Sequence, residues 1–198
     1  MGRVKDRSAA ENDLIEEDEK RGWKVLVIGG GAAVGKTTTA KAVAARYGVS
    51  VLPVDTIWWA LKAATNPASH PEVHYFDPSD EEMVGLTDED LCERHIKSAR
   101  AISQAMDPVI EFYRYERWPV IVEGAWITPA AAARWSRQYE GMRAVFIHEP
   151  DMNEVLAAMA ARSGWQDPTP RRKRLPEVCS LFGNWVREQA LADGPCGP

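Results

Sequence analysis

The chain has 198 residues, of which 45% are hydrophobic, and it carries a formal net charge of −5. This length suits one α/β domain and is short for two, and the apolar fraction is too high for wholesale disorder. The negative balance argues against a nucleic-acid partner, and no apolar run approaches the roughly 20 residues of a membrane-spanning helix.

The first 21 residues are polar and mixed in charge, and we expect a mobile tail there. This stretch lacks the apolar segment of a signal peptide. The three cysteines are odd in number and widely spaced, which predicts free thiols rather than a disulfide framework or a four-ligand zinc site. Together these features predict a cytoplasmic protein with no membrane association.

Strands and helices alternate along the rest of the chain. A β-branched run over residues 24–28 predicts a buried central strand, and residues 37–47 predict the helix that follows it. The other predicted elements are strands over 49–54, 119–122 and 143–147, short helices and loops over 56–86, a capped helix from Thr87 that Pro108 kinks or divides, helices from Thr128 and Asp151, and a last helix over 181–191. This order predicts an α/β fold with a parallel sheet, helices on both faces, and ligands at the carboxyl ends of the strands.

Residues 30–37, GGAAVGKT, match the phosphate-loop pattern G-x-x-x-x-G-K-[ST] between a strand and a helix. Backbone N–H groups of such a loop, together with the helix N-terminus, bind phosphate oxygens. Lys36 would reach the β- and γ-phosphates, and the Thr37 hydroxyl would ligate Mg²⁺. A glycine-rich turn with a chance lysine is the structural alternative. The residues expected to bind Mg·ATP are Gly30, Gly31, Ala32, Ala33, Val34, Gly35, Lys36, Thr37 and Thr38.

Two acids are expected at the same edge of the sheet, Asp55 after the second strand and Glu123 at the end of the third. Asp55 would accept a proton from an acceptor hydroxyl or orient it, and its structural alternative is a helix cap. Glu123 would hold Mg²⁺ through water or act as the acceptor-side base, and its alternative is an ordinary ion pair. The pattern leaves open which acid is the base.

Basic residues cluster late in the chain, in a segment of about 162–176 that has the composition of a loop. A basic lid that closes over ATP would neutralise charge in the transition state, whereas the structural alternative is a solvated surface loop. Arg162 and Arg171 are the lid residues expected to contact phosphate.

The segment of about 56–118 is longer than one crossover helix requires, which predicts that it builds the acceptor pocket. Arg94 and Arg100 would favour an anionic acceptor, whereas Trp58 and Trp59 would favour a ring. Each of these side chains has a structural alternative. The remaining candidates are His70, His74 and His95, the last of which lies on an apolar helix face and is typical of a core histidine.

The stretches 27–39, 94–106 and 120–124, with the Asp55 strand end, together resemble a group of small P-loop kinases. The resemblance is to 2-phosphoglycerate kinase-like proteins, and more distantly to chloramphenicol phosphotransferase and zeta-toxin kinases. It spans residues 23–192 and implies an adenylate-kinase-like sheet, ATP and Mg²⁺, an acceptor-side acid at Asp55 and a basic lid after Arg162. Such domains carry a fifth strand, but residues 193–198 include two prolines, so the last strand is expected to be short or missing.

These features predict that residues 22–198 form an ATP-dependent phosphotransferase domain acting on a hydroxyl of a small molecule, such as a phosphorylated sugar acid, a nucleotide sugar or an antibiotic. A switch or regulatory ATPase acting on a protein partner is the alternative, although 198 residues leave little room for a partner domain. A binding module without chemistry is disfavoured because Lys36, Thr37, Asp55 and Glu123 are all present. The oligomeric state and the choice between ATP and GTP are left open.

Overall fold

The computed structural model describes residues 21–76, 78–161 and 170–192. Within these ranges one parallel sheet contains the four strands β1 (Val25–Gly30), β2 (Ser50–Pro53), β3 (Val120–Glu123) and β4 (Met142–Ile147). The strand order is β2-β3-β1-β4, so the strand that leads into the phosphate loop lies inside the sheet. The predicted parallel α/β architecture is therefore confirmed.

Helices cover both faces of this sheet. They are α1 (Lys36–Tyr47), α2 (Val54–Ala64), α3 (Pro71–His74), α4 (Asp80–Val84), α5 (Asp88–Ala105), α6 (Asp107–Glu116), α7 (Pro129–Gln138), α8 (Met152–Ala160) and α9 (Pro170–Ala192). Successive residues of β1 point to opposite faces. Val27 accordingly lies in the larger core with residues of α5, α6 and α9, and Ile28 lies in a smaller core with Ala40 of α1. A strand buried on both faces explains the unbroken apolar run.

Two predicted boundaries bear directly on the site. Strand β2 ends at Pro53 and α2 begins at Val54, so Asp55 lies in the first turn of a helix and not at the end of a strand. Pro108 was expected to kink or divide the long helix, and the structure shows a division, since α5 ends at Ala105 and α6 begins at Asp107. Helix α5 starts with the predicted capping box, in which Thr87 and Asp90 exchange both hydrogen bonds.

The last helix is longer than the sequence indicated. Residues 170–176, expected within a basic loop, form the beginning of α9, so the prediction of a loop there was wrong. Pro176 normally disfavours a helix interior, but α9 buries Val178, Phe182 and Val186 in the main core, and this packing outweighs local propensity. Residues 1–20 of the expected tail, residues 162–169 of the expected lid and the expected weak final strand lie outside the described ranges. Arg21, also assigned to the tail, is buried and donates from Nε to the carbonyl of Trp23 at 2.6 Å, so the prediction of a mobile tail was wrong at this residue.

No helix in the described part of the chain is both long and apolar enough to cross a membrane.

Candidate active site

The phosphate loop curls into α1 through backbone that few side chains favour. Gly35, the N-cap of α1, has a φ of 89°, and Ala33 has a φ of 64°. Left-handed residues before a helix produce the concave backbone that binds anions, and a non-glycine residue held there, as Ala33 is, is strained. The curl leaves an open hollow at the start of the helix. Its lining residues are Ala33, Gly35, Lys36, Thr37, Thr38 and Ala158.

Lys36 folds back over the loop that carries it. Its side chain is buried, and its Nζ donates a hydrogen bond to the carbonyl oxygen of Gly31. The ammonium group thus lies at the loop, where it can meet the phosphate oxygens of a nucleotide.

Thr37 and Glu123 meet although they are far apart in sequence. The Thr37 hydroxyl donates a hydrogen bond to Glu123 Oε1 at 3.0 Å, and Glu123 is buried. The contact arises because β3 lies next to β1 with Glu123 opposite Ile28, just before the phosphate loop. A hydroxyl and a carboxylate are the hard oxygen donors that Mg²⁺ prefers, and Mg²⁺ in such sites takes its other ligands from phosphates and water. Within the described residues no group of three or more His, Cys, Asp or Glu could hold a metal ion.

Asp55 is held beside this pair by the loop that follows β3. A Cβ on Gly124 would lie 2.9 Å from Cβ of Val54, so this glycine permits the start of α2 to approach the strand end. Three residues after Glu123, the indole Nε1 of Trp126 donates a hydrogen bond to Asp55 Oδ1 at 2.7 Å. Trp126 is 3% exposed, whereas Asp55 is exposed to solvent. The carboxylate is therefore fixed on one side and accessible on the other.

Sequence reasoning missed Trp126. The one available signal was a tryptophan three residues beyond a strand-end acid, since a buried indole N–H almost always finds an acceptor.

The ring of Trp126 packs in an aromatic cluster. The ring centroid of Trp126 lies 4.9 Å from that of Trp58, 4.9 Å from that of Phe76 and 5.1 Å from that of His95. His95 stacks on Phe182 of α9 at 3.8 Å and 11°, as a core histidine. Trp58 is buried in the same cluster and donates to the carbonyl of Val73, so the structure places it in the core, while Trp59 is 61% exposed.

The other predicted polar candidates make local contacts. Arg94 forms an ion pair with Glu82 at 3.6 Å, and the Arg100 guanidinium lies 5.8 Å from the ring centroid of Trp185. His70 contacts the hydroxyl of Ser69, and His74 that of Thr65.

Among the described side chains of the basic cluster expected to form the lid, Arg174 has a clear partner. Arg174 pairs with Asp88 at 2.7 Å and donates to the carbonyl of Met83, which joins α9 to the start of α5. Arg171 lies in the first turn of α9, and Arg162 lies outside the described residues. The phosphate contacts expected of Arg162 and Arg171 stay predictions.

Comparison with solved structures finds a shikimate kinase from Acinetobacter baumannii in complex with shikimate, with a TM-score of 0.45 and 16% identity over 88% of this chain and 84% of that chain. A gluconokinase from Sinorhizobium meliloti 1021 has a TM-score of 0.41 and 16% identity over 87% of this chain and 91% of that chain. No protein-family model and no curated protein matches the chain. The closeness to 2-phosphoglycerate kinase-like proteins stays a prediction.

Proposed function

We propose that the chain is an ATP-dependent phosphotransferase that moves the γ-phosphate to a hydroxyl of a small molecule. One observation carries the proposal: two carboxylates lie at the same edge of the sheet with different partners. Glu123 is buried against Thr37 of the phosphate loop, whereas Asp55 is exposed and bonded to Trp126. One acid thus serves the nucleotide, and the other serves a second substrate.

On the nucleotide side, the loop of residues 30–37 would bind the phosphates of ATP, with Lys36 at the β- and γ-phosphates. Thr37 and Glu123 would hold Mg²⁺, directly or through water. When bound, Mg²⁺ neutralises charge on the phosphate oxygens and orients the γ-phosphate for transfer.

On the acceptor side, Asp55 would take the proton of the attacking hydroxyl. The hydroxyl oxygen forms a bond to the γ-phosphorus, the bond between that phosphorus and the bridging oxygen to the β-phosphate breaks, and ADP leaves. The remaining acceptor contacts are assigned to the segment of about 56–118, which the structure builds as helices α2 to α6. Contacts of Arg162 and Arg171 with the phosphates of ATP are part of the same proposal.

The first test is ADP release from Mg·ATP with a panel of glycerate phosphates, sugar phosphates, nucleosides, nucleotide sugars and hydroxylated antibiotics. We expect one class of compound to raise turnover far above the water background. Lys36→Ala should lower that turnover by at least about 10²-fold, because it removes charge stabilisation in the transition state. Lys41→Ala, which changes an exposed lysine of the same helix, is the matched control and should keep full activity.

A different result would favour the alternative of a nucleotide-dependent switch. If ATP is hydrolysed in a Lys36-dependent way but no compound of the panel raises the rate, phosphate transfer to a small hydroxyl is contradicted. A phosphorylated product identified by mass spectrometry would exclude simple stimulation of hydrolysis.

A further inference from the structure

We propose that Trp126 is a positioning residue, whose indole N–H fixes the carboxylate of Asp55 at the distance from the phosphate loop that transfer requires. The inference rests on the proposed function, because it concerns the acceptor side of the same site. Four features of the described residues support it: the immobility of Trp126, the accessibility of Asp55, the hydrogen bond between them, and the packing that ties both to the phosphate loop.

Trp126 is held at its backbone and at its ring. The Ser103 hydroxyl donates to the carbonyl of Trp126 at 2.7 Å, and the same hydroxyl accepts the N–H of Thr128 at 2.9 Å. The ring is enclosed by Trp58, Phe76 and His95. A side chain restrained at both ends can act as a rigid support for the group that it contacts.

Asp55 needs such a support. It lies in the first turn of α2 and is exposed, so solvent alone would leave its side chain free to rotate. The bond from Trp126 Nε1 at 2.7 Å occupies one lone pair of Oδ1 and selects one orientation of the carboxylate. The rest of the carboxylate stays available to an acceptor hydroxyl.

The same packing continues to the phosphate loop. His95, which touches Trp126, stacks on Phe182, and the next residue along α9 is Gly183. A Cβ on Gly31 would lie 3.2 Å from Cα of Gly183, so α9 rests directly on the loop. Asp55 and the loop are thus fixed to one packed body, and displacing a reacting group by about 1 Å can cost about 10²-fold in rate.

The experiment compares Trp126→Phe with a matched control elsewhere in the chain. Trp135 is equally buried and its Nε1 donates to Asp107 Oδ1 at 2.7 Å, so Trp135→Phe removes a bond of the same length and chemistry. We expect Trp126→Phe to lower kcat by about 10- to 100-fold while KM for ATP stays within about twofold, since the phosphate loop is untouched. Trp135→Phe should keep the wild-type kcat.

A double variant separates positioning from general damage. If Trp126 acts through Asp55, then Trp126→Phe combined with Asp55→Asn should be no slower than Asp55→Asn alone. Multiplied losses in the double variant would overturn the inference, and so would equal losses of kcat in Trp126→Phe and Trp135→Phe.

A readout on the intact site covers the case in which Trp126→Phe does not fold. In the ¹H–¹⁵N spectrum, the chemical shift of the Trp126 indole N–H should change in Asp55→Asn and stay the same in Asp107→Asn. An unchanged chemical shift in Asp55→Asn would overturn the inference. A wild-type protein with no acceptor-dependent turnover would overturn the proposed function itself, and this result is obtained before any variant is compared.

Discussion

Two tryptophan–aspartate pairs among the described residues contain the same type of hydrogen bond but differ in the other contacts of the aspartate. In both, a buried indole N–H donates to Oδ1 at 2.7 Å, from Trp126 to Asp55 and from Trp135 to Asp107. Asp107 also accepts a bond from Arg134 at 2.5 Å. Among the described residues no cation pairs with Asp55, which is exposed in the first turn of α2. The remaining partners of the carboxylate, and not the bond from the indole, therefore distinguish a structural acid from an available one.

The largest expected effect separates the two aspartates directly. Asp55→Asn should lower kcat by about 10²- to 10⁴-fold, because the amide still accepts from Trp126 but is not a base. Asp107→Asn should leave kcat unchanged, because Asp107 is already bonded to Arg134 and Trp135 and is not among the acceptor contacts of the proposal. Initial rates with the acceptor found in the panel, on variants with matched thermal unfolding, measure both. Similar rates in the two variants would remove the distinction between the pairs.

A second change moves Asp55 without altering it. In Gly124→Ala the new Cβ would lie 2.9 Å from Cβ of Val54, so the start of α2 must shift and carry Asp55 with it. We expect a loss of about 10²-fold in kcat. Gly85→Ala is the control, since a Cβ there meets nothing within 4 Å. Retained kcat in a folded Gly124→Ala would show that the position of Asp55 is not critical.

A third change addresses the other acid of the site. Glu123→Gln keeps an oxygen for the Thr37 hydroxyl but removes the charge that would hold Mg²⁺, so the Mg²⁺ concentration for half-maximal rate should rise by about 10- to 100-fold. Glu116→Gln, at an exposed helix end, should not change it. A rate titration with MgCl₂ at fixed ATP is the measurement, and an unchanged midpoint in Glu123→Gln would assign the metal to other groups.

The free energy of unfolding should respond similarly to loss of the aspartate in either pair. Asp55→Ala leaves the buried N–H of Trp126 without its acceptor, and Asp107→Ala does the same to Trp135. Each change should cost about 1–3 kcal/mol in the free energy of unfolding. Loss of the exposed ion pair with Arg134 adds at most about 1 kcal/mol for Asp107→Ala. Urea unfolding measures both, and an unaffected Asp55→Ala would mean that the Trp126 bond is not formed in solution.

The smallest effect concerns acids that only cap helices. Hydrogen bonds from the backbone N–H and then the side chain of Thr87 hold the pKa of Asp90 below its ordinary value of 3.8. The folded-state pKa is lowered, so this stabilisation is present above pH 3.8 and is lost as pH falls through the folded value. Asp90→Asn should therefore weaken the acid dependence of the thermal midpoint, and Glu89→Gln serves as the charge-matched control. An identical acid dependence in wild type and Asp90→Asn would contradict this account.

The parts of the site that could be predicted from the sequence are those whose structure is determined by residues adjacent in the chain. The phosphate loop, its strand and its helix follow from contiguous residues, and so does the Thr87 capping box. Trp126 was missed because its proposed role depends on burial by residues of α2 and α5 and on a partner distant in sequence. The helical start of α9 was missed because Pro176 suggests a break in the helix. The apolar residues of α9 compensate for this proline only when they pack in the core, and the local sequence does not show that packing.

The contact between α9 and the phosphate loop also constrains which sequences this fold can accept. A Cβ on Gly183 would make ordinary contacts, 3.9 Å from Nδ1 of His148 and 4.0 Å from Cα of Gly31, whereas a Cβ on Gly31 would press on Gly183 at 3.2 Å and on the carbonyl of Cys179 at 3.4 Å. The close approach of α9 thus favours a glycine at the second position of the loop. A larger side chain at Gly31 would require α9 to move by a few tenths of an ångström, and the packing of α9 against His95 and Trp126 would have to adjust with it.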